Sequence, residues 1–196
     1  MLIKINVLGV KEGVGKTTVS ISLGKKLSKF GKTLVVDKTP TCGLWRKFEN
    51  KNEIWCEDTL CILKLFKQPF RINEKELEIA IDKLAKIYRR TWDYVVIDNF
   101  SCAVPDNPII KIDMDSFPVF VTDPLNIKVT LEYSNNFYFR YGLIVNQAFD
   151  SFKILPEVAK LFQFSLVIPI INEEKIVDYL EPMVTDLRER TNFTFI

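Results

Sequence analysis

The stretch Lys11-Glu-Gly-Val-Gly-Lys-Thr-Thr18 crowds two lysines, two glycines and two hydroxyls into eight consecutive residues. Those types at that spacing suit phosphate binding. Gly13 and Gly15 can adopt backbone conformations closed to other residues, so the N–H groups around Val14 can curl about anionic oxygens. Lys16 is positioned to reach the β- and γ-phosphates of a nucleotide, and the Thr17 hydroxyl to ligate Mg²⁺, with Thr18 beside it. The strict phosphate-loop pattern G-x-x-x-x-G-K-[ST] asks for glycine where Val10 stands, so the motif is met in its chemistry but not in its letter. Glu12 sets a carboxylate inside the same loop. The chain has no histidine, which removes Ser-His-Asp triads, Cys-His dyads, imidazole acid–base chemistry and His-ligated zinc.

Such a loop needs a strand-to-helix junction, where the helix N-terminus adds its dipole. Ile3 to Leu8 reads as a β-branched strand ending at Gly9. A helix over 15–30 follows, from the spacing of Val19, Ile21, Leu23, Leu27 and Phe30, closed by Gly31. Thr33 to Asp37 is a second buried strand. Trp45 and Phe48 suggest a short helix, Thr59 to Leu65 a strand, and 74–90 a helix that Asn73 caps with Glu76 as its capping-box partner. Leu77, Ile81, Leu84 and Tyr88 form the apolar stripe of that helix. Trp92 to Asp98, Phe117 to Thr122, Gly142 to Asn146 and Phe164 to Ile168 are further strands, with helices near 126–140 and 155–163. A last helix starts near Glu173, and Pro182 breaks it or starts a new one. Strands alternating with helices predict an α/β fold with a mostly parallel sheet covered on both faces, and ligands at the carboxyl ends of its strands.

A length of 196 residues suits a single domain over 1–196, and 47% apolar with 27% charged residues excludes a disordered chain. No apolar run reaches the roughly 18 residues a membrane span needs. A net charge of +2 is too mild to argue for nucleic acid by itself. The first residues leave no room for a signal peptide, because Lys4 and Asn6 interrupt the apolar stretch. A cytoplasmic protein with reduced thiols is therefore expected, and Cys42, Cys56, Cys61 and Cys102 contain no CxxC pair.

Lys11 supplies what the strict loop lacks. The string 11–18 resembles the deviant Walker A motif, K-G-G-x-G-K-[ST]-[ST], of the ParA/MinD family of ATPases. Val35-Val36-Asp37-Lys38-Thr39-Pro40 resembles that family's second-strand D-x-D-P segment, with Asp37 at the first aspartate. Val95-Val96-Ile97-Asp98 resembles its Walker B strand, and Gly142-Leu-Ile-Val-Asn146 the strand whose asparagine reads adenine, followed by Ile168-Pro169 near the base. The likeness runs in order through most of 1–50 and 92–175, and is weak over 41–90. It implies a three-layer P-loop NTPase fold binding ATP and Mg²⁺, with Thr17, Asp37 and Asp98 around the metal. It also implies an ATP-dependent homodimer in which Lys11 contacts the nucleotide of the partner subunit. Asn146 could instead begin a guanine-reading N-K-x-D loop, but Phe149 stands where that aspartate belongs, which favours adenine.

The pattern breaks at Thr39 and Glu12, where the family has aspartate and glycine. The missing aspartate is the one that, in the family, positions the attacking water. A threonine cannot accept a proton as a carboxylate does, so hydrolysis of ATP to ADP and phosphate is expected to be slow or absent, unless Asp37 substitutes. The implied task is DNA partition or spatial positioning of a cargo, with DNA or a DNA-binding protein as partner. The alternative is a non-hydrolysing regulatory scaffold acting on a protein, and behind it a metallocentre carrier using the cysteines. Lys128, Arg140 and the aromatics Tyr133, Phe137, Tyr138, Phe139 and Tyr141 could stack on bases, but suit the inner face of a covering helix better. Lys86, Arg89 and Arg90 form a small basic cluster at a helix end. From Glu173 onward acidic residues outnumber basic ones, so docking onto the core is expected rather than membrane binding.

Overall fold

The computed structural model describes residues 2–46, 52–66 and 74–192. Among these residues eight strands form one sheet: β1 (Ile3–Leu8), β2 (Thr33–Asp37), β3 (Ile54–Glu57), β4 (Leu60–Lys64), β5 (Tyr94–Asp98), β6 (Phe117–Thr122), β7 (Gly142–Ala148) and β8 (Phe164–Pro169), in the order β3-β4-β2-β5-β1-β6-β7-β8. All neighbours are parallel except the β3–β4 hairpin at one edge. The chain returns from β3 and β4 to insert β5 between β2 and β1, then continues with β6 on the other side of β1, so the crevice at the carboxyl end of β1 is the switch point of the sheet.

Alternation along the buried strands separates two cores. Ile3, Ile5, Val7, Val35, Val96, Val119 and Val121 pack against α1 (Lys16–Leu27) and α8 (Glu181–Asn192). Leu34, Val36, Val95, Ile97, Phe120 and Leu143 face α3 (Glu74–Tyr88), α4 (Pro108–Lys111) and α5 (Ile127–Ser134). Three layers result, as expected for strands buried on both faces.

Several boundaries differ from expectation. α1 ends at Leu27 with Ser28 as its cap, three residues before Gly31. The helix expected over 126–140 stops at Ser134, because the residues beyond it are buried one by one: Phe137 and Tyr141 pack inward, whereas Tyr138 is exposed. Phe137 packs edge-on to Phe120, and Tyr141 edge-on to Phe117. The helix expected over 155–163 shrinks to α6 (Pro156–Ala159). The segment from Glu173 divides into a 3₁₀ turn (Glu173–Lys175), α7 (Ile176–Tyr179) and α8, whose second residue is Pro182. Leu180, Met183, Val184 and Leu187 dock on the core.

In the weakly matching region, α2 (Gly43–Arg46) answers to the helix suggested by Trp45, and β4 to the strand near 59–65. Phe48 and Asn73 lie outside the described residues. β3 was not expected. It pairs antiparallel with β4 around Asp58, which takes the left-handed backbone (φ 48°) that aspartate tolerates better than most residues. The hairpin sets Cys56 directly opposite Cys61, and the two form a disulfide. The expectation of reduced thiols is corrected for this pair. Cys42, buried, and Cys102, exposed, are outside this disulfide.

A charged pair is buried beside the second core. Lys38, which follows β2, is fully buried and donates to Asp113, also fully buried, and to the carbonyl of Ile109 at 2.6 Å. Burial pushes its ammonium below the usual lysine range, against the pull of Asp113.

Candidate functional site

The loop after β1 is a cradle built on two left-handed glycines, Gly13 (φ 81°) and Gly15 (φ 92°). Gly15 caps the N-terminus of α1. A Cβ there would collide with the Asn146 side-chain amide, so glycine is required by contact as well as by backbone. Val14 is buried and anchors the loop in the core. From below, the loop is tied to β7. Asn146 Nδ2 donates to the Val14 carbonyl at 2.9 Å, and Gln147 Nε2 to that of Gly13 at 3.1 Å. A register irregularity between Val145 and Ala148, with Gln147 at φ 56°, lets both side chains serve one loop.

Lys16 is buried in the first turn of α1, and its Nζ donates to the Lys11 carbonyl at 2.8 Å and to Ser101 Oγ at 2.9 Å. Burial lowers its pKa, while Asp98 and Glu12 raise it. Thr17 Oγ1 donates to Asp98 Oδ2 at 2.7 Å, and Ser20 Oγ to Asp98 Oδ1 at 3.1 Å. Thus the loop hydroxyl and the carboxylate ending β5 converge. Asp98 is fully buried with Asp37 as its register neighbour on β2. Burial first, then Asp37, push its pKa up to about 7, against the Thr17 and Ser20 hydroxyls and Lys16. Below about pH 7 the folded protein therefore holds a proton on Asp98 that the unfolded chain releases near its ordinary pKa of 3.8. That contribution to stability is complete below the unfolded pKa and is lost as pH rises through about 7. Urea unfolding of the apo protein should show this decline, and Asp98→Asn should flatten it. An unchanged slope in the variant would assign the decline to another group.

Asp37 is buried and turned into the following turn. Its Oδ1 accepts from Thr39 N–H at 2.9 Å and Thr39 Oγ1 at 2.6 Å, and its Oδ2 from Leu44 N–H at 3.1 Å. Thr39 Oγ1 in turn accepts from Gly43 N–H at 3.2 Å. The two residues thus organise the entry to α2.

Above these groups lies an open cavity of about 420 Å³. Glu12, Gly13, Gly15, Lys16, Thr17, Thr18 and Thr39 line it, together with Pro40, Thr41, Gly43, Asn99, Phe100, Ser101, Gln147 and Glu173. Thr18 Oγ1 donates to Glu173 Oε1 at 3.2 Å. Other expected residues lie around this cavity without lining it. Asn146 braces the loop from beneath, and Asp37 and Asp98 are buried side by side at the ends of β2 and β5. Lys11 extends outward, 59% exposed, 3.9 Å from Asp123. Pro169 ends β8, in register with Ala148. Ser20, Ser101, Gln147 and Glu173 were not anticipated. Ser20 had a usable signal, since it lies one turn after Lys16 on α1; the other three come from remote segments.

Among the described residues no group of three or more His, Cys, Asp or Glu side chains could hold a metal ion by itself. Thr17 with Asp98 instead forms a pair of oxygen donors beside the glycine loop, a donor set whose chemistry fits a magnesium ion completed by other oxygen ligands. No helix among the described residues is long and apolar enough to cross a membrane.

No protein-family model and no curated protein matches the chain. Solved structures do. A plasmid partition protein from Borrelia burgdorferi is similar at a TM-score of 0.65 and 18% identity, covering 97% of this chain and 100% of that one. A Borrelia burgdorferi partition protein bound to AMPPNP matches at 0.63 and 16%, with the same coverage. MinD from Pyrococcus horikoshii, complexed with Mg-ADP, matches at 0.56 and 20%, covering 86% of this chain and 82% of that one. The chain therefore has the α/β P-loop fold of MinD and the ParA-type partition proteins.

Proposed function

We propose that this chain is an ATP-binding switch of the ParA/MinD type, one P-loop domain over 1–196, whose nucleotide state controls dimerisation. It acts in DNA partition or in positioning a cargo. The observation that carries the reading is the hydrogen bond from Thr17 to Asp98 beneath the cavity entered by Lys16. A structural turn with incidental lysines has no need to bring a loop hydroxyl to a buried strand-end carboxylate.

In this reading the N–H groups of 13–18 receive the phosphates, and Lys16 leaves Ser101 to meet the β- and γ-phosphate oxygens. Thr17 and Asp98 would hold Mg²⁺, which supplies charge neutralisation between the phosphates. Asn146 keeps the loop in shape, and Asn146 with Pro169 would contact the adenine. Lys11, extended away from its own cavity, is available to a second subunit. Thr39 offers no base, because its hydroxyl is engaged by Asp37 and Gly43, so turnover is slow or absent. That engagement also supports the second reading, a non-hydrolysing ATP-dependent scaffold for a protein partner. DNA retention that needs ATP and weakens with salt separates partition from the scaffold.

The direct test is calorimetric titration with Mg-ATP. Wild type should bind, and Lys16→Ala should lose about 100-fold or more in affinity by removing a charge-assisted contact. Absence of binding by the wild type would overturn the proposal.

A further inference from the structure

We propose that Glu12 sets the nucleotide preference of this loop: its carboxylate weakens the hold on the terminal phosphate of a triphosphate and biases the site toward the diphosphate. This rests on the nucleotide-binding reading above.

Four observations carry it. Glu12 lines the same cavity as Gly13, Gly15, Lys16 and Thr17. The carbonyl joining residues 11 and 12 lies 2.8 Å from Lys16 Nζ, so Glu12 begins at the ammonium end of the cradle, where β- and γ-phosphates are received. Glu12 is outside the set of residues with positive φ, so a side chain is held there on ordinary backbone. Finally, the charge lining the cavity is inverted for an anion site. Among the described lining residues Lys16 is the one cation, against the carboxylates of Glu12 and Glu173. Glu173 is engaged by Thr18, and Lys11, the nearest cation in sequence, lies against Asp123 instead of offsetting Glu12. The field of Glu12 at the Lys16 ammonium agrees with this arrangement.

A carboxylate here would compete with phosphate for Lys16 and repel the outermost phosphate, which carries the most charge. The diphosphate lacks that group and feels less of the repulsion. The cation of a second subunit could relieve it, which would couple triphosphate binding to assembly.

The test measures dissociation constants for Mg-AMPPNP and Mg-ADP by titration calorimetry on wild type, Glu12→Gln, Glu12→Gly and Lys16→Ala. Glutamine keeps the size and removes only the charge, and equal melting temperatures check that the variants fold. Both Glu12 variants should bind Mg-AMPPNP about tenfold more tightly while Mg-ADP changes by less than about twofold, the scale of one partly screened charge. Equal gains for both nucleotides, or no gain for Mg-AMPPNP, overturn the proposal and leave nucleotide binding intact. Failure of wild type and both Glu12 variants to bind either nucleotide overturns the binding reading and this inference with it.

Discussion

Replacing Lys38 with methionine should destabilise the protein by about 3–5 kcal/mol, the usual effect of removing one partner from a buried ion pair. Lys38 and Asp113 are both fully buried, and the ammonium also holds the Ile109 carbonyl. Truncation strands a carboxylate in the core between β2 and α4. The double variant Lys38→Met with Asp113→Leu should recover most of the loss, because an apolar pair of similar volume carries no desolvation penalty. Urea denaturation of the four proteins of this cycle gives the coupling energy directly. A Lys38→Met protein within about 1 kcal/mol of wild type would mean that water reaches the pair and the core is not closed there.

Restoring a carboxylate at position 39 should have the larger effect on chemistry. Thr39→Asp is expected to raise single-turnover ATP cleavage by about 10²-fold or more, the usual scale for a positioned proton acceptor. Position 39 lines the cavity, so the new group would face the space where water attacks. The structure also assigns a penalty. The wild-type hydroxyl donates to Asp37 and accepts from Gly43, so the variant loses a donor and sets two carboxylates side by side. A loss of about 1–3 kcal/mol in stability should accompany the gain. Thr39→Asn, similar in shape but without a base, should gain nothing, and adding Lys16→Ala to Thr39→Asp should remove the signal. Phosphate release that stays at the wild-type rate in a folded Thr39→Asp would overturn the account of this position.

What was legible depended on whether the signal was local. The loop between β1 and α1 was, because such a turn needs glycine at closely spaced positions with positive φ, all within one segment. The strands carrying Asp37 and Asp98 were too, since β-branched runs buried on both faces look like little else. The β3–β4 hairpin was not. Glu53, Glu57 and Asp58 hide the alternation there, and the cysteine spacing names no partner until the turn brings residue 56 opposite 61. The helix expected over 126–140 failed for a related reason. Phe137 and Tyr141 have a helix-like spacing, but each is buried by its own contact with the sheet.

By itself, then, the sequence determined the class of fold, the glycine loop from Lys11 to Thr18 at a strand-to-helix junction and the lack of a carboxylate at Thr39, since each follows from residue type and short spacing. Only the tertiary structure decided what those residues face. It joined Thr17 to Asp98 across 81 positions, braced Val14 with Asn146 from 132 positions away, turned Asp37 toward Thr39, and left Glu12 in the cavity above the glycine loop. Hydrogen bonds and fields act through space, and their reach of a few ångströms is set by how the sheet stacks its strands.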